Sequence, residues 1–170
     1  MRQIEWYEET QWLHDALRSG GAFVVAADGD GKPNPMTIGW AQVGIVWSRP
    51  VLAVLVRESR YTYGCMRAST AFTVSVPRPG ELGDALAFCG SRSGRDCDKA
   101  LETGLTLVPA ETVEAAWVAE CGLHYECEII ARTQQADADF APTDVPETFY
   151  PSPDYHLVVY GHIVAAFADR

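Results

Sequence analysis

The sequence predicts a mainly β fold, an antiparallel barrel with short helices on its surface. Short runs of apolar and β-branched residues recur along the 170-residue chain, with Gly, Pro and Asp turn residues between them. The helical stretches are brief and do not alternate with strands in the βαβ pattern of a parallel sheet. A chain of this length, 48% hydrophobic, suits a single domain with one core.

The first third of the chain predicts one surface helix and two strand pairs. Spaced apolar residues among charged ones predict the helix, and a Ser-Gly-Gly run at 19–21 ends it. The turn residues 28–31 join the first two strands, and 48–50 join the next two, which should lie side by side. The helix is expected at 4–18, and the strands at 22–27, 36–40, 43–47 and 51–56.

The remainder of the chain predicts three short helices and three further strands. Ser59 is expected to cap the first helix, and Pro77 to end the strand after it. A polar, Pro-rich stretch at 136–154 is expected to be a loop. The helices are expected at 60–68, 81–88 and 96–103, and the strands at 71–76, 124–133 and 156–167.

Charge and cysteine usage exclude several classes of protein. A formal net charge of -10 opposes binding to nucleic acid and to anionic membranes. Acidic residues in the first 21 positions are atypical of a signal peptide, and no apolar run reaches the roughly 18 residues of a membrane helix. The five cysteines form no CxxC pair, which indicates reduced thiols. These features predict a cytoplasmic protein.

Two segments concentrate basic residues and have the composition of an anion site. Residues 57–63 join a strand to a helix start, where free backbone N–H groups, Ser59, Thr62 and Arg60 favour a phosphate. Residues 91–99 repeat the pattern, with Ser93, Gly94 and Arg95 expected at a helix entrance and Lys99 about one turn later. The alternative for each segment is a plain helix cap with solvated arginines.

Residues 34–40 form an unusual strand. Pro35 and Gly39 are unfavourable in a central strand, which places the segment at an edge or cleft with free backbone groups. A flat heterocycle with alternating donors and acceptors can dock against such an edge. The alternative is an ordinary edge strand whose Met36 and Trp40 belong to the core.

Together these segments resemble a known family. In order and spacing, residues 36–40, 57–63 and 89–99 closely resemble the flavin-reductase-like, flavoredoxin-type family of FMN-binding split barrels, and the resemblance spans roughly residues 20–165. It implies a six-stranded antiparallel split β-barrel over residues 20–168 within a single domain, 1–170, preceded by an N-terminal helix at 1–19. The residues that would bind FMN are Met36, Thr37, Ile38, Gly39, Trp40, Ser59, Arg60, Tyr61, Thr62, Ser93, Gly94, Arg95 and Lys99.

The resemblance also implies a function. Met36 to Trp40 would line the flavin ring, while the basic segments would hold the ribityl phosphate. The chain would be an oxidoreductase that accepts hydride from NADH or NADPH onto FMN and passes electrons to a flavin, a metal complex or a partner protein. Proteins of this family are usually homodimers, with Trp47, Tyr63 and residues 136–154 as candidates for the interface or for covering the flavin.

Two alternatives stay open at this stage. One is an FMN-carrying electron-transfer protein with no nicotinamide activity of its own. The other is a binder of a different phosphorylated ligand or of haem, without redox chemistry. His124, His156 and His162 lie in predicted strands, where a histidine is usually structural, and no catalytic or metal-binding residue is expected.

Overall fold

The computed structural model describes residues 1–169. The strands are β1 (Arg2–Ile4), β2 (Ala22–Ala27), β3 (Pro33–Ile38), β4 (Ala41–Val46), β5 (Arg49–Arg57), β6 (Ala71–Val76), β7 (Leu107–Pro109), β8 (Ala116–Val118), β9 (Leu123–Gln134) and β10 (His156–Ala168). The helices are α1 (Thr10–Ser19), α2 (Tyr61–Ala68), α3 (Gly83–Ser91), α4 (Lys99–Thr103) and α5 (Val145–Phe149), with a 3₁₀ turn at Asp137–Asp139. Over this range no helix is long and apolar enough to cross a membrane.

Within residues 1–169, eight strands form one antiparallel sheet. Its order is β3-β2-β6-β9-β10-β5-β4, and β1 pairs with the end of β10. The sheet curls so that β3 comes close to β5, although no ladder joins these two strands in the described part of the chain. The result is a barrel that is open between β3 and β5, and backbone groups on one side of β3 have no strand partner.

The barrel interior is apolar. Alternate residues of the sheet point inward and are completely buried, because side chains of neighbouring strand residues face opposite sides. A second cluster lies on the other side of β2, where Phe23 and Val25 pack against Leu86 and Cys89 of α3. The inward core residues include Val24, Leu52, Val54, Phe72, Val74, Tyr125, Leu157 and Val159.

The mainly β antiparallel fold predicted from the sequence is confirmed. The strands expected at 22–27 and 71–76 coincide with β2 and β6, and those expected at 124–133 and 156–167 with β9 and β10 to within one residue. The sheet has two strands more than the predicted six-stranded barrel. Six strands, β3-β2-β6-β9-β10-β5, run around the barrel, but β4 and β1 extend the sheet to eight.

Several predicted boundaries are wrong for identifiable reasons. The helix expected at 4–18 begins at Thr10, because Arg2–Ile4 instead pairs with β10 and buries Ile4. The turn expected at 48–50 lies at 47–48, where Trp47 and Ser48 have φ of 52° and 57°. Two successive residues with positive φ make the tight turn that matches hairpin twist.

Other differences concern the second half of the chain. The helices expected at 81–88 and 96–103 lie at Gly83–Ser91 and Lys99–Thr103. Residues 136–154, expected to be a loop, contain the 3₁₀ turn and α5. The three-residue strands β7 and β8 were not predicted, since such short strands leave almost no periodicity in the sequence.

Candidate functional site

Two adjoining cavities lie where the barrel is open. We call the first, of about 200 Å³, the cation pocket, and it is lined by Met36, Arg57, Ser59, Arg60, Tyr61, Thr62, Ser91, Arg92, Ser93, Arg95, Lys99 and Asp154. We call the second, of about 180 Å³, the edge-strand pocket, and it is lined by Met36, Thr37, Ile38, Gly39, Trp40, Leu55, Arg57, Arg60 and His156. Together they reach the lower part of the roughly 300–1,000 Å³ range of small-molecule sites.

The structure brings the three predicted segments together at this site. Met36, Arg57 and Arg60 line both cavities and so join them. Twelve of the thirteen residues that the resemblance indicates line one cavity or both. The exception, Gly94, lies behind the cation pocket, where an added Cβ would clash with the side chains of Asn34 and Tyr61. Glycine is therefore required for the 92–98 loop to approach β3 and α2.

The cation pocket has a charge opposite to that of the whole protein. Five of its lining residues carry a positive side chain, and only Asp154 among them is acidic. In a chain of net charge -10, this arrangement focuses positive potential on one small cavity. The five cations are Arg57, Arg60, Arg92, Arg95 and Lys99.

Lys99 is the most unusual of these cations, because its side chain is buried. Only 3% of the residue is exposed, and its Nζ donates a hydrogen bond of 3.2 Å to the carbonyl of Cys89. No carboxylate within residues 1–169 forms an ion pair with it, and burial lowers the pKa of its ammonium group. A buried ammonium that faces a cavity without a counter-charge favours binding of an anion there.

Ser59 does not cap α2 as predicted. Arg60 holds the N-cap position in extended conformation, and no side chain bonds the first-turn N–H groups there. The backbone N–H of Ser59 instead donates to Oδ1 of Asp154 at 2.9 Å, and its hydroxyl donates to Oδ2 at 2.7 Å. The strand-to-helix junction therefore does bind an anionic group, and that group belongs to the protein itself.

Tyr61 and Thr62 are held by contacts behind the pocket. The Tyr61 hydroxyl donates to Asp28 at 3.0 Å, so it is directed away from the cavity, and its ring lies 5.4 Å from the Arg95 guanidinium carbon. The buried Thr62 accepts a hydrogen bond of 2.8 Å from Asn34, which leaves its own hydroxyl proton available. These contacts anchor α2 against the hairpin of β2 and β3.

Residues 93–95 do not lie at a helix entrance, which corrects the prediction. They belong to the loop between α3 and α4, and Asp98 caps α4 by accepting from the Leu101 N–H at 3.1 Å. Within the loop, the Arg95 N–H donates to the Ser93 hydroxyl at 3.2 Å, and the Arg95 side chain reaches the Ser59 carbonyl at 3.4 Å. The loop therefore contributes charge to the pocket without a helix dipole.

The edge-strand pocket has the free backbone that Pro35 and Gly39 predicted, because β3 is at the edge of the sheet. Thr37 donates its hydroxyl proton to the Leu86 carbonyl at 2.7 Å, so towards a ligand it can only accept. Trp40, expected in this strand, lies just after it and is 40% exposed. A large aromatic surface is thus available beside the free edge.

Sequence reasoning missed the far wall of the site. His156, which we expected to be a structural or surface residue, lines the edge-strand pocket and is 5% exposed, with Nδ1 2.6 Å from the Tyr150 hydroxyl. Burial, and secondarily the nearby Arg57, lowers the pKa of His156 to about 4. Arg57 is its partner across the β5–β10 ladder and also lies over the Tyr150 ring. Only the pairing of β5 with β10 brings these distant residues together, and no local motif in the sequence predicts this pairing.

Comparison with known proteins agrees with this geometry. An uncharacterised protein of Archaeoglobus fulgidus is 32% identical over 106 residues, which cover 62% of this chain and 59% of that protein. The structure resembles the flavoredoxin of Desulfovibrio vulgaris (TM-score 0.68, 27% identity, 88% of this chain and 69% of that one). It also resembles an FMN-binding domain of a flavin-reductase-like enzyme from Shewanella baltica (TM-score 0.67, 22% identity, 99% and 76%).

The chain spans about three fifths of the Archaeoglobus relative's length. The Shewanella match, at this identity, concerns the fold, and it confirms the split-barrel architecture that the open edge between β3 and β5 indicates. A family model described as "Flavin reductase like domain" matches residues 17–170. Its span includes β3, the strand-to-helix junction and the 92–98 loop. The chain therefore belongs to the flavin-reductase-like domain family.

Proposed function

We propose that this protein is an FMN-dependent oxidoreductase that takes hydride from NADH or NADPH and passes electrons to a flavin, a metal complex or a protein. One observation carries the proposal: a cavity with five cations adjoins a free strand edge with an exposed tryptophan. FMN has two parts that complement these features: an anionic phosphate for the cavity, and a flat heterocycle with donors and acceptors for the strand edge. The names of the flavoredoxin and of the FMN-binding domain from Shewanella support this assignment.

The residues present fit the phosphate end of FMN. Lys99 is buried with its ammonium group beside the cavity and without a carboxylate partner among the described residues. Arg60 has no ion pair there either, and its planar guanidinium suits a phosphate. In this proposal Arg60, Arg95 and Lys99 neutralise the phosphate, and Thr62 and Ser93 add hydroxyl donors.

The residues of the edge-strand pocket fit the ring. The free backbone of β3 offers C=O groups, and N–H groups at positions other than Pro33 and Pro35, to a heterocycle. Trp40 and Leu55 exclude water from its surroundings. FMN, when bound, supplies the chemistry of hydride acceptance and onward electron transfer. Arg57 lines both cavities and places a positive charge near the ring, where it favours reduction. His156, with its pKa lowered to about 4, is neutral at pH 7 and so adds no second positive charge beside the ring.

A second candidate is an FMN-carrying electron-transfer protein that another protein reduces. This chain is more similar in sequence to the Desulfovibrio flavoredoxin (27% identity) than to the Shewanella domain (22%), which favours this candidate. The two candidates are separated by mixing the FMN-loaded protein with NADH and with NADPH under anaerobic conditions. Rapid loss of the yellow colour supports the reductase, while a flavin that stays oxidised until a redox partner protein is added supports the carrier.

We also propose that the protein is a cytoplasmic homodimer. β4 is an edge strand, and Ile45 and Trp47 on its hairpin are 61% and 64% exposed, which is unfavourable unless another surface covers them. All five cysteines are free, as in reducing compartments. Analytical ultracentrifugation tests the dimer: Trp47→Glu should give monomers, whereas an unchanged mass would place the interface elsewhere.

A further inference from the structure

We propose that Asp154 competes with the flavin phosphate for Ser59 and thereby lowers the affinity of the protein for FMN. The inference rests on the proposed function, since it concerns the same pocket. It starts from the Asp154 carboxylate, which receives both donors of Ser59, the backbone N–H at 2.9 Å and the hydroxyl at 2.7 Å. Two donors on two carboxylate oxygens are the arrangement that a phosphate would otherwise use.

Asp154 is positioned to act as an internal anion. It is the acidic residue in the lining of the cation pocket, and its backbone carbonyl is fixed by Arg57 at 3.0 Å. Arg57 also holds the Phe149 carbonyl at 2.8 Å, so the backbone on both sides of Tyr150 is tied to β5. The carboxylate itself is 26% exposed, and its ion pair with Arg57 is long, 3.9 Å. Rotation of this side chain therefore frees Ser59 without unfolding the segment.

The competition follows from charge. A phosphate at the Ser59 donors would lie next to the Asp154 carboxylate, and two negative charges in direct contact repel each other. The phosphate therefore binds fully only in molecules whose Asp154 has left Ser59. If Asp154 occupies Ser59 in about nine tenths of the molecules, the apparent affinity for FMN falls about tenfold. Riboflavin lacks the phosphate, so its affinity is independent of this equilibrium.

The test compares FMN and riboflavin binding, by quenching of flavin fluorescence, in five variants. Asp154→Asn removes the charge at nearly constant shape, and Asp154→Ala removes the contact. Asp137→Asn is the matched control, because Asp137 lies in the same segment and its carboxylate, within residues 1–169, accepts a hydrogen bond only from the Tyr155 hydroxyl. Ser59→Ala combined with Asp154→Asn, measured against Ser59→Ala alone, separates competition at Ser59 from a general effect of charge.

We expect both Asp154 variants to bind FMN on the order of tenfold more tightly with unchanged riboflavin affinity. Asp137→Asn should have no effect, and Asp154→Asn should have a smaller effect when Ser59 is already Ala, because Ser59→Ala removes the hydroxyl donor and keeps the backbone N–H. Equal or weaker FMN binding by the Asp154 variants overturns the inference. So does a gain of undiminished size in the Ser59→Ala background, since that gain reflects net charge alone.

These outcomes are distinct from failure of the proposed function. A wild-type protein that binds neither FMN nor riboflavin would refute the flavin site itself, and with it this inference. A wild-type protein that binds FMN, with Asp154 variants that bind it no better, refutes only the role of Asp154.

Discussion

The side-chain amide of Asn34 donates a hydrogen bond of 2.8 Å to the hydroxyl of Thr62. This contact links β3, which lines the edge-strand pocket, to α2, which lines the cation pocket. Both residues are buried, with 6% and 1% of their surfaces exposed. This pair of side chains therefore helps to fix the relative position of the two cavities.

The first prediction concerns that pair. Thr62→Val keeps the shape of the side chain but leaves the Asn34 amide without its acceptor, so we expect a loss of about 1–3 kcal/mol in the free energy of unfolding. Adding Asn34→Ala should cost less than the sum of the two single changes. Urea denaturation measures both effects, and Thr133→Val, at an exposed position of β9, is the control. Additive losses would show that the pair is not coupled.

The second prediction concerns Gly94. An added Cβ there would stand 2.7 Å from Cδ1 of Tyr61 and would clash with the Asn34 side chain. Gly94→Ala should therefore push the 92–98 loop outward and weaken FMN binding by at least about tenfold. Gly64→Ala is the matched control, because Gly64 has open space inside α2 and the change should stabilise the helix by about 0.5–1 kcal/mol. Calorimetric titration measures the FMN affinity of both variants. Equal affinities would show that close packing at Gly94 does not position the loop for FMN.

Much of the fold could be predicted because its signals are local. The turn residues at 28–31 and the apolar runs of β2, β5, β6, β9 and β10 identify those strands within the sequence itself. β1 could not be predicted, because its pairing with β10 depends on a partner more than 150 residues away. The helical spacing of Ile4 with later residues indicated a helix instead.

The site residues also divide into those that local sequence signals identify and those that only the fold brings together. Arg60, Lys99 and the edge position of β3 could be predicted, since basic residues near glycine and serine, and Pro35 in a strand, carry their meaning locally. The far wall could not, because Asp154 and His156 reach the pocket only after β10 pairs with β5. Ser59 is the mixed case: its position in an anion site was predicted, but its anionic partner in the chain was not.

The third prediction separates the phosphate from the ring. Arg60→Ala with Lys99→Met removes two cations from the pocket, and Met keeps the apolar stem of Lys99 packed. Since charge-assisted hydrogen bonds contribute about 1.5–3 kcal/mol each, we expect FMN affinity to fall by roughly a hundredfold or more. Riboflavin affinity should change less than about twofold. Equal losses for both ligands would show that these residues do not contact the phosphate.

Arg49→Ala with Arg67→Ala is the control for this pair. Both residues are exposed and lie outside the two cavities, and the change in net charge is the same. FMN affinity should remain close to that of the wild type. A comparable loss in the control would mean that the protein attracts FMN through its general field.

The fourth prediction concerns acid stability. Burial lowers the pKa values of His124 and His156 to about 4, so the folded protein excludes protons that the unfolded chain binds below about pH 6.5. The free energy of unfolding should therefore fall as the pH drops from 6.5 towards 4. In His156→Gln, the free energy of unfolding should fall less steeply between pH 6.5 and 5. The difference in slope should correspond to about one fewer proton taken up on unfolding. Denaturation curves at several pH values measure it, and an unchanged slope would contradict a buried, neutral His156.

Uptake of FMN by the purified protein tests directly whether the two cavities form a flavin site. The protein, freed of any bound ligand, is mixed with FMN, passed through a desalting column, and its visible absorption spectrum is recorded. We expect a yellow protein that retains one FMN per chain, and a variant with Arg60→Ala and Lys99→Met that loses it. A colourless wild-type protein that takes up no FMN would show that these cavities are not a flavin site.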